Sequence, residues 1–285
     1  MIAKKNINKI YYLFLCLHLF LWTLIPSISN VNLPLDTIEA LAWGSNLDWG
    51  FAKHPPMSAF VVEFIYSIFG SSDWAYYLLS QIFIILAFFY VWKLSNEIFK
   101  DKIYALLSLL ILESIIFYNF TTPEFNVNVC QLPFWALTCY YFWNSINDNK
   151  KKSWILFGIF SALGFLSKYL FIYILISLFI FYLVYFKKNK KLHKNYFLSI
   201  IISFIVLIPH FYWLFSNDFV TIFYGLSRSS LTESILINHF VNPATLILKQ
   251  IIILIPFFII VFISLKKFKF NVNLKNKKIF FLFSI

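Results

Sequence analysis

Two acids three residues apart, a third acid, a lysine and a histidine fall within one short stretch of the sequence, residues 36–56. Asp36 and Glu39 stand three residues apart, and Lys53 and His54 come directly before a Pro-Pro pair. A carboxylate held near an apolar surface can act as a general base or hold a divalent cation, because burial raises its pKa toward the working range. Lysine and histidine can take up the charge of a departing phosphate. The stretch therefore predicts a transfer reaction from a phosphate-bearing donor.

A short helix would position the two acids. If residues 36–45 are helical, Asp36, Glu39 and Trp43 lie on one face, and apolar side chains between them lie on the opposite face. We expect this helix to lie on the bilayer with its acids turned toward the protein. The same Asp-x-x-Glu spacing is also typical of a capping box, in which both acids only bond the first turn of the helix. Spacing alone leaves both interpretations open.

The rest of the chain is too apolar for a soluble protein. Of its 285 residues, 61% are hydrophobic and 13% are charged, against about 45–50% and 25% in soluble domains. A net charge of +12 raises the question of nucleic acid. Most of the basic residues, however, fall in short segments between apolar runs, which is the positive-inside pattern of membrane proteins. We therefore expect a membrane environment and no nucleic-acid partner.

Eight apolar runs predict eight transmembrane helices. The runs cover residues 10–28, 74–92, 103–118, 127–143, 154–166, 169–186, 197–215 and 244–265. The first run lacks a small-residue cleavage site, which is typical of a retained signal anchor. A tight hairpin at Ser167 and Lys168 separates the fifth run from the sixth, because an odd number of crossings there would place one of the flanking basic clusters outside.

Residues 56–69 are also apolar but too few to cross the membrane. About 15 helical residues reach only ~22 Å, less than the ~30 Å hydrocarbon core. We predict instead a helix in the outer interface that begins at the Pro-Pro pair and ends at Gly70.

With the basic loops inside, the chain has four outer loops. They cover residues 29–73, 119–126, 167–168 and 216–243. These loops collect the unusual polar residues, so the site is expected at the outer face. Residues 1–285 then form one transmembrane domain. The last apolar stretch, 279–285, is too short to cross and follows a basic loop, so we expect the chain to continue beyond it.

Further charged residues are candidates for the same site. Lys168 lies at membrane depth, where a cation is costly, so it is either a phosphate contact or a snorkelling lysine. Arg228, the only arginine in the sequence, either binds phosphate bidentately or is a solvated loop charge. Glu124 follows Pro123 and could contact a sugar or a metal. Glu113 lies inside the third apolar run, and the sequence gives it no partner.

The residues from Asp36 to Pro56 follow the order Asp…Glu…Trp-Gly…Gly-Phe-x-Lys-His-Pro-Pro. This order resembles the family 39 type glycosyltransferases of bacteria, relatives of protein O-mannosyltransferases and of the lipid A aminoarabinose transferases. Residues 122–124, 158–169 and 209–219 are similar to the same family at matching spacing. The resemblance covers nearly the whole chain, and its first motif is the most specific.

The resemblance implies a GT-C fold: an all-α polytopic membrane protein with about eight transmembrane helices and interfacial helices in the first outer loop. It also implies an activity. A hexose or pentose linked to polyprenyl phosphate is moved, with inversion, to a lipid, glycan or protein acceptor. The implied location is the bacterial inner membrane, with the site facing the periplasm.

Site residues carry over from the resemblance position by position. Asp36 matches the family's catalytic base or metal-site acid. Many members place the second acid directly after the first, whereas here Thr37 intervenes and Glu39 follows. This wider spacing is similar to that of transferases that add uronic acids to lipopolysaccharide, and it leaves Glu39 to orient Asp36, bind metal or cap the helix. Lys53 and His54 match the region near the lipid phosphate. No cofactor is certain, and a divalent metal stays open.

Two alternative functions belong to other classes. A transporter or flippase for a lipid-linked substrate would place ionisable residues near the midplane of discontinuous helices. Here nearly all candidate charges lie in predicted outer loops, which favours chemistry at the surface. A scaffold without chemistry would not explain why acids and cations gather in residues 36–56.

Overall fold

The structure is a computed structural model that describes residues 6–189, 193–228 and 237–267. Within these ranges the chain is helical and contains no strand. Its helices are α1 (Ile7–Ser29), α2 (Leu35–Gly44), α3 (Met57–Phe69), α4 (Asp73–Phe99), α5 (Lys102–Glu113), α6 (Val127–Asp148), α7 (Lys151–Ser167), α8 (Ile172–Asn189), α9 (Asn195–Ser216), α10 (Val220–Arg228), α11 (Asn242–Ile253) and α12 (Ile255–Lys267). The architecture is the predicted all-α polytopic membrane fold. The predicted apolar stretch 279–285 lies outside the described residues.

Length and composition qualify a subset of these helices as membrane spans. In the described ranges, α1, α4, the segment Tyr169–Lys187 and α9 are each long and apolar enough to cross, and the pair Ile237–Ile253 and Ile255–Ser264 would make a fifth span with a bend of 51°. The other three predicted crossings are helical, but each falls short of the length or the hydrophobicity that a membrane span requires. At 1.5 Å per residue, the 12 residues of α5 reach only ~18 Å. Helix α7 has 17 residues, and α6 has 22 but is more polar.

The bundle explains why α6 can be polar. It packs against α4 on one side and α7 on the other, and α7 in turn packs against α9. Protein therefore replaces lipid around much of α6, and its side chains need less hydrophobicity. Helices α7 and α9 approach closely at Gly158, where an added Cβ would lie 2.5 Å from the Ser199 carbonyl oxygen.

The predicted break after Ser167 is confirmed. Helix α7 ends there, Lys168 is extended, and a short helical turn, Tyr169–Phe171, leads into α8. The Phe171 ring packs onto Gly164, where an added Cβ would come within 2.3 Å of it. This contact fixes Lys168 at the end of the bundle that also carries α2 and α3.

The helix predicted between the Pro-Pro pair and Gly70 also forms. Helix α3 begins after Pro56 and ends at Gly70, whose φ of 59° few other residues adopt. It packs against α2, where an added Cβ on Gly44 would lie 2.9 Å from the Ala59 carbonyl oxygen. The small residues of α2 therefore set how closely the acid-bearing helix sits on the bundle.

Candidate active site

Helix α2 turns a different face inward from the one predicted. Its buried side chains are Thr37, Ala40 and Gly44, a stripe of small residues at helical spacing. Asp36 is exposed and Glu39 is only half-buried, so the expectation that both acids point into the protein is wrong for Asp36. The reason is that close helix packing, not hydrophobicity, decides this face. Asp36 consequently lies at the rim of the structure beside residues of another loop.

The capping-box alternative is also wrong. The N-cap of α2 is Pro34, and no side chain caps the helix. The backbone N–H of Asp36 instead donates to Oε1 of Glu124 at 3.2 Å. The Thr37 hydroxyl donates to the carbonyl of Phe125 at 3.1 Å. The first turn of α2 is therefore fastened to the segment that precedes α6.

Asn126 lies between the carboxylates of Asp36 and Glu124, and it was not among the site residues predicted from the sequence. It is the N-cap of α6, and its Oδ1 accepts from the backbone N–H groups of Asn128 at 2.9 Å and Val129 at 3.2 Å. Its Nδ2 therefore points the other way, 3.4 Å from Oδ2 of Asp36 and 3.4 Å from Oε2 of Glu124. The available signal was an Asn directly before a helix, two residues after an acid.

Glu39 and Lys53 form an ion pair between α2 and the segment before α3. The hydrogen bond to Glu39 raises the pKa of Lys53 above its ordinary value. Of the two acids on α2, Glu39 therefore contacts Lys53, whereas Asp36 contacts Glu124 and Asn126. Much of the positive charge of Lys53 is balanced before any ligand binds.

His54 lies between the acids and a second cation. Its ring meets the edge of Trp43 with centroids 5.8 Å apart. Burial and the nearby Lys168 ammonium lower the pKa of His54, and the carboxylates of Glu39 and Asp36 only partly offset them. His54 is therefore neutral at neutral pH, and its ring can donate one hydrogen bond.

Lys168 is a half-buried cation without a carboxylate partner among the described residues. Its Nζ donates to Oδ1 of Asn128, in the first turn of α6. Burial lowers the pKa of Lys168. A cation that has lost hydration and gained only an amide oxygen is poised to bind an anion.

Helices α9 and α10 hold the loop that carries these residues. Nδ1 of His210 lies 2.6 Å from the carbonyl oxygen of Trp49, and the Thr221 hydroxyl donates to the carbonyl of Phe51 at 2.6 Å. Trp213 covers Gly50, where an added Cβ would come within 2.3 Å of its ring. Each residue of the Trp-Gly-Phe sequence before Lys53 and His54 therefore contacts α9 or α10, which holds these two residues in place.

Arg228 is not brought into contact with the acids. It is exposed at the end of α10, and its Nη1 donates to the Tyr224 hydroxyl at 3.4 Å. Its guanidinium lies 5.9 Å from the centre of the same ring. Tyr224 in turn is close enough to Lys53 to influence its pKa. Tyr224 therefore lies between Arg228 and the ion pair of Lys53 with Glu39.

Glu113 receives a partner from the first helix. Its Oε2 lies 2.9 Å from Nδ1 of His18, in a close contact rather than a well-aligned hydrogen bond. Nε2 of His18 lies 3.1 Å from Oε1 of Gln81, whose Nε2 donates to the Thr122 hydroxyl at 3.1 Å. This buried chain links the membrane helices to the segment that carries Glu124.

Two cavities meet at Glu124. One, of about 570 Å³, lies between residues 115–121 and the first turns of α6. The other, of about 540 Å³, lies between the end of α1 and residues 120–124. A smaller apolar cavity of about 320 Å³ between α7, α8 and α9 lies away from the acids.

The donor set at the acids does not fit a metal ion. Among the described residues, no three His, Cys, Asp or Glu side chains come together as ligands. The amide group that Asn126 turns toward Asp36 and Glu124 is its NH₂, which is a hydrogen-bond donor and cannot ligate a cation.

Fold and site together define a polytopic membrane enzyme of the GT-C type. A family model described as dolichyl-phosphate-mannose-protein mannosyltransferase matches residues 53–213, more than half of the chain. The chain belongs to this family, whose members are membrane glycosyltransferases that use a polyprenyl-phosphate sugar. No curated protein and no solved structure matches it. The matched range includes Lys53, His54, Glu124 and Lys168, and membership favours sugar transfer over the transporter alternative.

Proposed function

We propose that this protein transfers a hexose or pentose, with inversion, from a polyprenyl-phosphate donor to a hydroxyl group of a lipid, glycan or protein acceptor. The proposed place of reaction is the periplasmic face of a bacterial inner membrane. The basic loops of the sequence support this orientation.

One observation carries the proposal. The first turn of α6 has two acids, Asp36 and Glu124, beside its beginning. On its other side lies the Lys168 ammonium, which has no carboxylate partner among the described residues. Asn126 contacts Asp36 and Glu124, and Asn128 contacts Lys168. A sugar phosphate bound across these two amides would place its phosphate at the cation and its reacting carbon toward the acids.

The chemistry follows from these positions. The acceptor oxygen attacks the anomeric carbon, and Asp36 takes the proton of the acceptor hydroxyl as general base. The bond between the anomeric carbon and the phosphate oxygen breaks, and the phosphate leaves with the electron pair. Lys168 and the N–H of His54 stabilise the charge on that oxygen. Glu124 holds the backbone of Asp36, and Asn126 orients its carboxylate.

The remaining candidates have supporting roles. We propose that Glu39 acts by holding Lys53 in place, which stiffens the loop before His54. Lys53 then contacts the phosphate in addition to Lys168, as a weaker second cation. Arg228 approaches the phosphate from α10 through its contact with Tyr224.

Asp36→Asn tests the base directly. The purified full chain in detergent should lose about 100-fold or more of its transfer rate, because general-base catalysis contributes about 10²–10⁴-fold. Asp48→Asn is the matched control, since Asp48 lies in the same outer loop, is exposed and, among the described residues, bonds only the neighbouring backbone. Product is quantified by mass spectrometry of the acceptor. An Asp36→Asn protein that transfers sugar at the control rate contradicts the assignment.

A further inference from the structure

Helix α5 ends too early to cross the membrane. It stops at Glu113 rather than at the predicted residue 118, and residues 114–126 contain only a short turn, Ile116–Tyr118. Irregular backbone at membrane depth is tolerated only where protein buries it or where it lines a water-filled cavity. The cavity of about 570 Å³ lies at this place, with Phe117 in its wall.

The opposite wall of that cavity is one face of α6. Asn128, Gln131 and Trp135 lie at positions i, i+3 and i+7 of the helix and all line the cavity. The indole N–H of Trp135 donates to Oε1 of Gln131 at 3.3 Å. Asn126 and Glu124 close the upper end.

These side chains fit a neutral sugar. Amides and a carboxylate supply the mixed donors and acceptors that ring hydroxyls require, and the aromatic side chains Trp135 and Phe117 offer flat apolar surfaces to a C–H face. No lysine, arginine or histidine lines the cavity in the described part of the chain. The volume lies within the range of small-molecule sites, about 300–1,000 Å³.

We propose that this cavity holds the sugar ring of the lipid-linked donor, and that Gln131 and Trp135 select which sugar is bound. The inference rests on the proposed function. The donor sugar is the group that must lie between the departing phosphate and the base, and the cavity joins them: its Asn128 contacts Lys168, and its Asn126 contacts Asp36.

Binding of three lipids to the purified full chain tests this assignment. The probes are polyprenyl-phosphate mannose, polyprenyl-phosphate glucose and bare polyprenyl phosphate. The wild type should bind at least one sugar-bearing lipid more tightly than the bare lipid. Gln131→Leu should weaken that sugar-dependent gain about 3- to 10-fold, since one hydrogen bond contributes about 0.5–1.5 kcal/mol, and should leave bare-lipid affinity within about twofold.

Controls separate the cavity from the fold. Asn147→Leu removes an amide at the far end of the same helix, where its described partner is the Trp143 carbonyl, and should leave all three affinities unchanged. Trp135→Leu is an independent variant with the same expected signature, and Gln131→Asn should restore part of the gain.

Three results would overturn the proposal. They are equal affinity of the wild type for bare and sugar-bearing lipids, equal weakening of all three lipids by Gln131→Leu, and a change in acceptor KM with donor affinity intact, which would assign the cavity to the acceptor. Sugar-dependent binding without transfer by the wild type would instead contradict the proposed function and leave the cavity assignment standing.

Discussion

Asn126 combines two roles that are normally separate. Its Oδ1 caps α6, and its Nδ2 lies between the carboxylates of Asp36 and Glu124. Because the cap uses the oxygen, the NH₂ group is fixed toward the acids. An oriented donor of this kind keeps a carboxylate aligned for proton transfer.

The substitution Asn126→Asp separates these roles. Asp caps a helix about as well as Asn, so α6 should keep its cap, while the new charge beside the carboxylates of Asp36 and Glu124 should lower the unfolding free energy by about 1–3 kcal/mol. The transfer rate should fall about 10- to 100-fold, because a hydrogen bond to a charged group contributes about 1.5–3 kcal/mol and a third carboxylate is added. Denaturant unfolding and the transfer assay measure the two effects. An Asp variant with the wild-type rate would show that Asn126 acts only as a cap.

At the scale of elements, the approach of α2 to α3 sets where Asp36 lies. Gly44 and Ala40 allow the contact, and the Thr37 hydroxyl fastens α2 to the segment before α6. This face could not be predicted from hydrophobic periodicity, because the residues that pack are small rather than strongly apolar. The pairing of Asp36 with Glu124 spans 88 positions, and a single sequence contains no signal for such a contact.

Two glycines form a matched pair for testing this packing. Gly44→Ala places a Cβ 2.9 Å from the Ala59 carbonyl and 3.0 Å from Cβ of Glu63, and overpacking of this kind costs about 1–3 kcal/mol. Gly225→Ala in α10 meets no atom of the described residues within 4 Å and should stabilise by about 0.5–1 kcal/mol. Thermal unfolding in detergent compares the two, and equal stabilisation by both would contradict the close packing of α2.

Several elements were predictable from general rules. The break at Lys168 followed from the charge of its flanks, and α3 followed from the Pro-Pro start and Gly70. The end of α5 at Glu113 did not, because the apolar residues that continue to Tyr118 line a cavity instead of extending the helix. Hydrophobicity marks which residues avoid water but does not mark where a helix stops.

At the scale of the whole molecule, contacts gather the predicted outer loops at one end of the bundle. Residues 29–73 reach residues 119–126, Lys168 and α9 through the contacts described above. The opposite end carries the junction of α6 with α7, where Asn195 donates to the Asn149 carbonyl at 3.0 Å. The candidate acids and cations of the site therefore lie at the same end of the bundle, as a reaction at one membrane surface requires.

Cysteine labelling tests which side that end faces. In a protein whose three native cysteines are replaced by alanine, Ser45→Cys should react with a membrane-impermeant maleimide in intact cells. Lys151→Cys, exposed at the opposite end, should react only after permeabilisation. The reverse pattern would place the acids in the cytoplasm and contradict the proposed orientation.

In the proposed reaction, the Lys168 ammonium at the end of α7 receives the donor phosphate beside the acids. The affinity of bare polyprenyl phosphate for Lys168→Met, with Lys151→Met as the matched control, tests this role. We expect a loss of about tenfold or more for Lys168→Met, because a charge-assisted hydrogen bond contributes about 1.5–3 kcal/mol, and a change within about twofold for Lys151→Met. Equal affinities in two variants that melt at the wild-type temperature would contradict it.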